Sequence, residues 1–207
     1  VTWVFTSITT VALAVLLVGE RSSITLRNIA KPVASAGFIG VALSAGALDT
    51  AYGSWVFLGL MLGATGDVLL LGASRGAFLA GLGAFLFGHV AYVIAFGTIG
   101  LDGPLVLIVG GVAAVVGALV FVWLHPHLEG FMVGAVAAYI IVISAMVVAA
   151  AASAVPVVIL GSTAFYLSDL SVARDRFVSP GFSNRVWGLP LYYGAQLVLA
   201  WSVIIIQ

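Results

Sequence analysis

Eight apolar stretches, each close to the length of a membrane-crossing helix, follow one another along this chain with short polar breaks between them. About 20 apolar residues cross a bilayer as a helix, and only helices or closed barrels satisfy their backbone polar groups in hydrocarbon. Breaks placed at charges, Gly and Pro put the spans at 1–19, 32–48, 51–74, 76–101, 103–124, 130–155, 156–173 and 186–207. This pattern predicts an all-α fold, a polytopic transmembrane bundle of eight helices forming a single transmembrane domain. Pro156 either separates the sixth and seventh spans or kinks one longer segment. The stretch 1–19 lacks a basic n-region and is long enough to span, so it reads as a first helix and not as a cleaved signal.

Composition supports the same class. The chain is 63% hydrophobic and 7% charged, against roughly 25% charge in an average soluble domain. A formal net charge of zero gives no electrostatic footprint for nucleic acid, and the absence of cysteine excludes thiol catalysis, disulfides and thiolate metal sites. The Ala, Val and Gly richness suits a bacterium with a high-GC genome, and therefore an inner-membrane location.

The charges also orient the bundle. With eight spans, the odd connections hold Arg21, Arg27 and Lys31, then Arg75, then Arg174, Arg176 and Arg185, which is every Lys and Arg in the chain. The even connections hold Asp49 and Asp102 and no base. The positive-inside rule makes the odd connections cytoplasmic and places both termini on the non-cytoplasmic side.

Two carboxylates break the apolar pattern from within: Asp67 in the third span and Asp169 in the seventh. Each costs on the order of 2.5–3.5 kcal/mol on insertion scales, which marks it as functional by default. At about 1.5 Å per helical residue, Asp67 lies about 10 Å and Asp169 about 6 Å from the cytoplasmic ends of their spans. Tyr192, Tyr193 and Gln196 enter from the same side, and His89 lies about 20 Å deep. The polar residues thus gather in the cytoplasmic half, and the outer half reads as nearly all aliphatic. Gly59, Gly63 and Asp67 share a helix face, as do Gly81, Phe85, His89 and Tyr92, then Ser162, Tyr166 and Asp169, then Gly188, Tyr192 and Gln196. Small and aromatic neighbours on those faces suit an interior cavity. A faint echo between Gly66-Asp67…Arg75…Gly88-His89 and Ser168-Asp169…Arg176…Gln196 would fit a parallel four-plus-four repeat.

The ordered set Lys31-Pro32, Gly66-Asp67-Val-Leu-Leu, Phe87-Gly-His89-x-x-Tyr92, Phe165-x-x-Ser168-Asp169-x-x-x-Ala173 and Tyr192-Tyr193-x-x-Gln196 resembles the YhhN-like lysoplasmalogenase family of integral membrane proteins. The resemblance covers the chain from Lys31 onward. It implies eight helices and hydrolysis of the vinyl-ether bond of a lysoplasmalogen to a fatty aldehyde and a glycerophospho-head-group alcohol. It makes the partners a lysophospholipid substrate and membrane lipid.

The residues suit that chemistry. A vinyl ether is opened by protonating its β-carbon, and water then captures the oxocarbenium ion. Two carboxyls in one apolar cavity can hold different protonation states and act as acid and base, as in glycosidases. Asp67 and Asp169 are the expected catalytic pair, with neither role assigned. Tyr192, Tyr193 and Gln196 would orient water or the glycerol hydroxyl. Lys31 and Asn184, with Arg174, Arg176 and Arg185, would hold the phosphate. His89, Tyr92, Tyr166 and Ser168 complete the expected substrate-binding set. No metal or organic cofactor is expected: His125-Pro126-His127 is a loop pair, His89 is the sole His within a span, and a Gly-x-Ser-x-Gly elbow is absent. The rival reading is a proton-coupled transporter or lipid-binding membrane protein with the buried Asp residues as relay. Singly, each Asp could be a packing device, the tyrosines an aromatic belt, and the loop arginines a product of topology.

Overall fold

The computed structural model describes residues 1–206, so Gln207, the last residue of the expected eighth span, lies outside the described residues. Eight α-helices follow in order: α1 (Thr2–Ser22), α2 (Ile24–Ser44), α3 (Ala51–Leu69), α4 (Arg75–Thr98), α5 (Gly103–Leu124), α6 (Phe131–Ala152), α7 (Pro156–Ala173) and α8 (Phe182–Ile205). Among the described residues, six of these helices are long and apolar enough to cross a membrane. The other two, α2 and α3, carry Lys31, Pro32 and Asp67 inside the bundle. The chain is a multi-pass membrane protein. The helices pack most closely in sequential pairs, and α8 closes the bundle against α1, α2, α3 and α7. Helix α5 packs mainly on α6 and presents Leu107, Val112, Val115, Leu119 and Val122 outward.

Pro156 resolves as a helix start, at the first turn of α7, where its missing N–H costs nothing. The expected second span is corrected. Helix α2 begins at Ile24 and runs through Pro32. Arg27 and Lys31 are therefore helical residues and not part of a connection. The corner between α1 and α2 is Ser23 alone, whose N–H donates to the Gly19 carbonyl at 3.0 Å and whose Oγ accepts from Leu26 N at 3.4 Å. A side chain at Gly19 would put its Cβ 2.7 Å from Arg27 N, so glycine is required for so tight a turn. Charge misplaced the boundary because Lys31 is balanced inside the protein and needs no water.

The third span is shorter than expected. Helix α3 ends at Leu69, so Asp67 sits two residues from its end and not seven. Tyr192, ten residues into α8, nevertheless reaches Asp67. By rise per residue, α3 stops about two turns short of the level at which α8 starts. That offset leaves space beneath α3 at the end of the bundle that carries the basic residues.

One further expectation is revised. Buried polar groups are not confined to one half, because Tyr52 OH and Ser202 Oγ pair at 2.6 Å near the opposite end. Among the described residues, no hydrogen bond joins that pair to the site described next.

Candidate functional site

Asp67 has a side chain 2% exposed, and four groups converge on it. Lys31 Nζ lies 3.3 Å from Oδ1. Ser35 Oγ and Tyr192 OH donate to Oδ2 at 2.6 and 2.8 Å, and Tyr193 OH lies 3.5 Å from the same oxygen. Lys31 and Ser35 reach it together because residues four apart share a face of α2. Behind Tyr192, Gln196 Nε2 donates to its hydroxyl at 3.2 Å, and Tyr92 OH donates to Gln196 Oε1 at 2.6 Å. The O–H and N–H groups of Tyr92, Gln196 and Tyr192 all point along the chain toward Asp67, which ends it as an acceptor. The glycine stripe of α3 makes room for this chain. A Cβ on Gly59 would meet the Tyr92 ring at 2.6 Å, and one on Gly63 would strike the Gln196 amide.

Asp169 is less crowded and its side chain is 16% exposed. Tyr139 OH donates to Oδ2 at 2.6 Å. Ser168 Oγ lies 3.4 Å from Oδ1 but directs its proton to the Phe165 carbonyl at 2.7 Å. His89 Nε2 stands 3.7 Å from Oδ2. The His89 ring is fully buried, neither nitrogen makes a hydrogen bond among the described residues, and Phe165 and Tyr139 pack edge-on against it at 4.7 and 5.3 Å.

Both carboxylates line one cavity of about 280 Å³. Lys31, Tyr166, Ser168, Asn184 and Tyr192 share its wall. Tyr92, Tyr193 and Gln196 stand behind the wall and support it by the hydrogen bonds above, while His89, also off the wall, packs against its neighbours' rings. The remaining lining is largely aliphatic and aromatic, with Leu82 and Phe85 of α4, Leu124 of α5, and Ile140 and Ile143 of α6. At the mouth, the segment Arg174–Val178 forms a π-helical turn tied to the start of α8. Arg185 pairs with Glu20 and lies 3.6 Å from Asp175, and Arg174 bonds the Asn184 side-chain oxygen. Asn184 Nδ2 donates to Asp175 Oδ1 at 3.1 Å and to the Ser179 carbonyl at 2.8 Å. The side chain of Asn184 is thus committed to holding the turn. His125 and His127 lie exposed on a 3₁₀ turn, and no three His, Asp or Glu side chains converge as a metal site among the described residues.

A model of the YhhN family matches residues 26–203. The chain belongs to the YhhN family. It is similar to "Lysoplasmalogenase TMEM86A" of Bos taurus, 30% identical over 159 residues that make up 72% of this chain and 65% of that protein. The Homo sapiens protein of the same name is 32% identical over 159 residues, with the same two shares. "Lysoplasmalogenase" of Mycobacterium tuberculosis is 32% identical over 148 residues, 67% of this chain and 55% of that protein. The chain thus spans 65% or less of the length of these curated relatives. No solved structure matches it.

In this YhhN-family chain, every expected site residue from Lys31 to Gln196 falls within the matched segment. Sequence reasoning missed Ser35, Tyr139, Arg27 and Glu20. Ser35 lay one turn after Lys31 on the same face. Tyr139 was the only tyrosine in an otherwise apolar span. Arg27 counted only as a connection charge, and Glu20 entered no reading of the sequence.

Proposed function

We propose that this chain is a metal-independent membrane hydrolase that cleaves the vinyl-ether bond of a lysoplasmalogen, giving a fatty aldehyde and a glycerophospho-head-group alcohol. The observation that carries the proposal is the placement of Asp67 and Asp169 on the wall of one cavity of about 280 Å³. That volume lies just below the roughly 300–1,000 Å³ of ligand pockets and suits one hydrocarbon chain better than two. The relatives named lysoplasmalogenase support the substrate class.

The hydrogen bonds around the two carboxyls support a division of roles. Asp67 receives Lys31, Ser35 and Tyr192, so its oxygens are taken up as acceptors. It acts as the carboxylate. Asp169 keeps Oδ1 free of any short donor while Tyr139 fixes Oδ2, and it acts as the acid. Its proton goes to the β-carbon of the alkenyl chain, and the π electrons of the C=C bond form the new C–H bond. The resulting oxocarbenium ion is stabilised by the Asp67 carboxylate. Water adds to the carbon bearing oxygen and gives up a proton to a carboxylate. The hemiacetal hydroxyl then gives its proton to one carboxylate as the C–O bond to the glycerol oxygen breaks, and that oxygen takes the proton held by the other carboxyl and leaves as the alcohol. The sum is substrate plus water to aldehyde plus alcohol, with both carboxyls restored.

The basic residues gather at the mouth of the cavity, which supports a cytoplasmic site and termini on the non-cytoplasmic side, and the Ala, Val and Gly richness supports a bacterial inner-membrane location. The two carboxylates fall on the third helix of each half, α3 and α7, which supports a parallel four-plus-four repeat. The test is turnover by detergent-purified protein of a lysoplasmalogen and of an acyl lysophospholipid matched in chain and head group. Aldehyde from the vinyl ether with no fatty acid from the ester is the expected result. Fatty acid from the ester would make the chain an ester hydrolase. Silence on both, with substrate-coupled proton flux in proteoliposomes, would make it a transporter.

A further inference from the structure

Three of the arginines near the bundle's basic end line the cavity: Arg27, Arg176 and Arg185. They are not equivalent. Arg185 is already neutralised by Glu20 and Asp175. Among the described residues, neither Arg27 nor Arg176 has a carboxylate within ion-pair distance. Arg27 uses Nε and Nη2 on the neighbouring Asn28 side chain and reaches the Leu71 carbonyl at 3.4 Å. Arg176 lies over the Phe78 ring with its guanidinium carbon 4.2 Å from the centroid.

Leu71 lies in the short connection between α3 and α4, and Phe78 lies in the first turn of α4. The two guanidiniums therefore approach this one connection from two elements, α2 and the π-helical turn after α7. Both are positioned by neutral partners, a carbonyl and a ring, which hold the side chain without quenching its charge. Lys31, the remaining cation on the wall, is committed to Asp67.

We infer that Arg27 and Arg176 form an anion subsite at the cavity mouth that takes the phosphodiester of the lipid head group, while Arg174, Arg185 and Asn184 only build the turn. A guanidinium offers forked donors that match phosphate oxygens. The inference rests on the lysophospholipid reading and adds to it that the head-group phosphate, and not the amine or alcohol beyond it, is what this protein reads.

The test uses binding as well as turnover, so that the two readings fail separately. Full-length protein in a neutral detergent is titrated with a non-hydrolysable 1-O-alkyl lysophospholipid and with a 1-O-alkylglycerol of the same chain, with inorganic phosphate as competitor. Arg27→Gln, Arg176→Gln and the double variant are compared with Arg75→Gln, which removes an exposed charge off the cavity. Glutamine keeps a donor for the Leu71 carbonyl, and Arg27→Lys serves as the charge-conserving control.

The double variant is expected to weaken the phospholipid by about tenfold or more, a factor that corresponds to about 1.4 kcal/mol, with alkylglycerol binding unchanged. Arg75→Gln should match the native protein, and Arg27→Lys should retain most of the affinity. On a vinyl-ether substrate the double variant should raise KM with kcat unchanged. Equal loss of both ligands, or no loss of either, would overturn the subsite. So would inorganic phosphate competing at the concentration at which the lipid binds, since that describes a free-anion site. Absence of vinyl-ether turnover with phosphate-selective binding intact would sink the enzyme reading and leave the subsite standing.

Discussion

At the scale of single residues, the two aspartates differ in their company, and the difference makes separate predictions. Asp67→Asn and Asp169→Asn should each lower turnover by about 100-fold or more, the usual loss on removing a positioned acid or base; Asp169→Asn should fold in normal yield, whereas Asp67→Asn also leaves Lys31 without its carboxylate and should lower the unfolding midpoint. Tyr139→Phe removes the 2.6 Å bond to Asp169 and leaves the cavity shape intact. It should lower kcat by about tenfold, the weight of one hydrogen bond to the carboxylate that forms as Asp169 gives up its proton, with little change in KM; an unchanged kcat would mean that Asp169 is oriented without it. The residues that sequence reasoning found were those that are expensive in hydrocarbon, Asp67, Asp169 and Lys31, together with polar groups at helical spacing from them such as Tyr192 and Gln196. Ser35 and Tyr139 escaped because a hydroxyl or a phenol in an apolar helix is cheap and common. Only the acceptor each one faces across the bundle reveals its use, and that acceptor lies on another helix.

At the scale of helices, α5 and α7 run over the residues that their sequence punctuation predicts, 103–124 and 156–173. Both begin at a proline in the first turn, which is a local signal. Helix α2 and the end of α3 were misjudged because their boundaries depend on partners. Lys31 is paired inside the protein, so its charge does not mark a loop. The α1–α2 corner rests on Ser23, and Ser23→Ala should destabilise the protein by about 0.5–1 kcal/mol, the typical value of an N-cap, seen as a lower midpoint of thermal unfolding in detergent. The glycine face of α3 makes a stronger prediction. Gly63→Val would force Gln196 and Tyr192 out of place, costing about 1–3 kcal/mol for overpacking. It should also cut turnover more than Ser23→Ala does, because Tyr192 would lose Asp67. Loss of stability with full turnover would detach that chain from the chemistry.

At the scale of the whole molecule, the shortness of α3 is what lets a buried ion pair, a second carboxylate and a set of arginines meet around one space. The proposed topology rests on the segregation of Lys and Arg to one end of the bundle and predicts that this space opens to the cytoplasm. The chain has no cysteine, so single introduced thiols report orientation cleanly. In intact cells an impermeant maleimide should label Asp102→Cys directly and Ser179→Cys only after permeabilisation, and the reverse order would invert the proposed topology. The central claim is that a carboxylic acid protonates the alkenyl carbon. The most direct measurement is turnover of lysoplasmalogen in heavy water, with the aldehyde trapped by reduction as it forms and its deuterium located by mass spectrometry. One deuterium on the carbon next to the former carbonyl, with release abolished by Asp169→Asn, is the predicted result. Aldehyde without deuterium at that carbon, or undiminished release from the Asp169→Asn protein, would contradict the account.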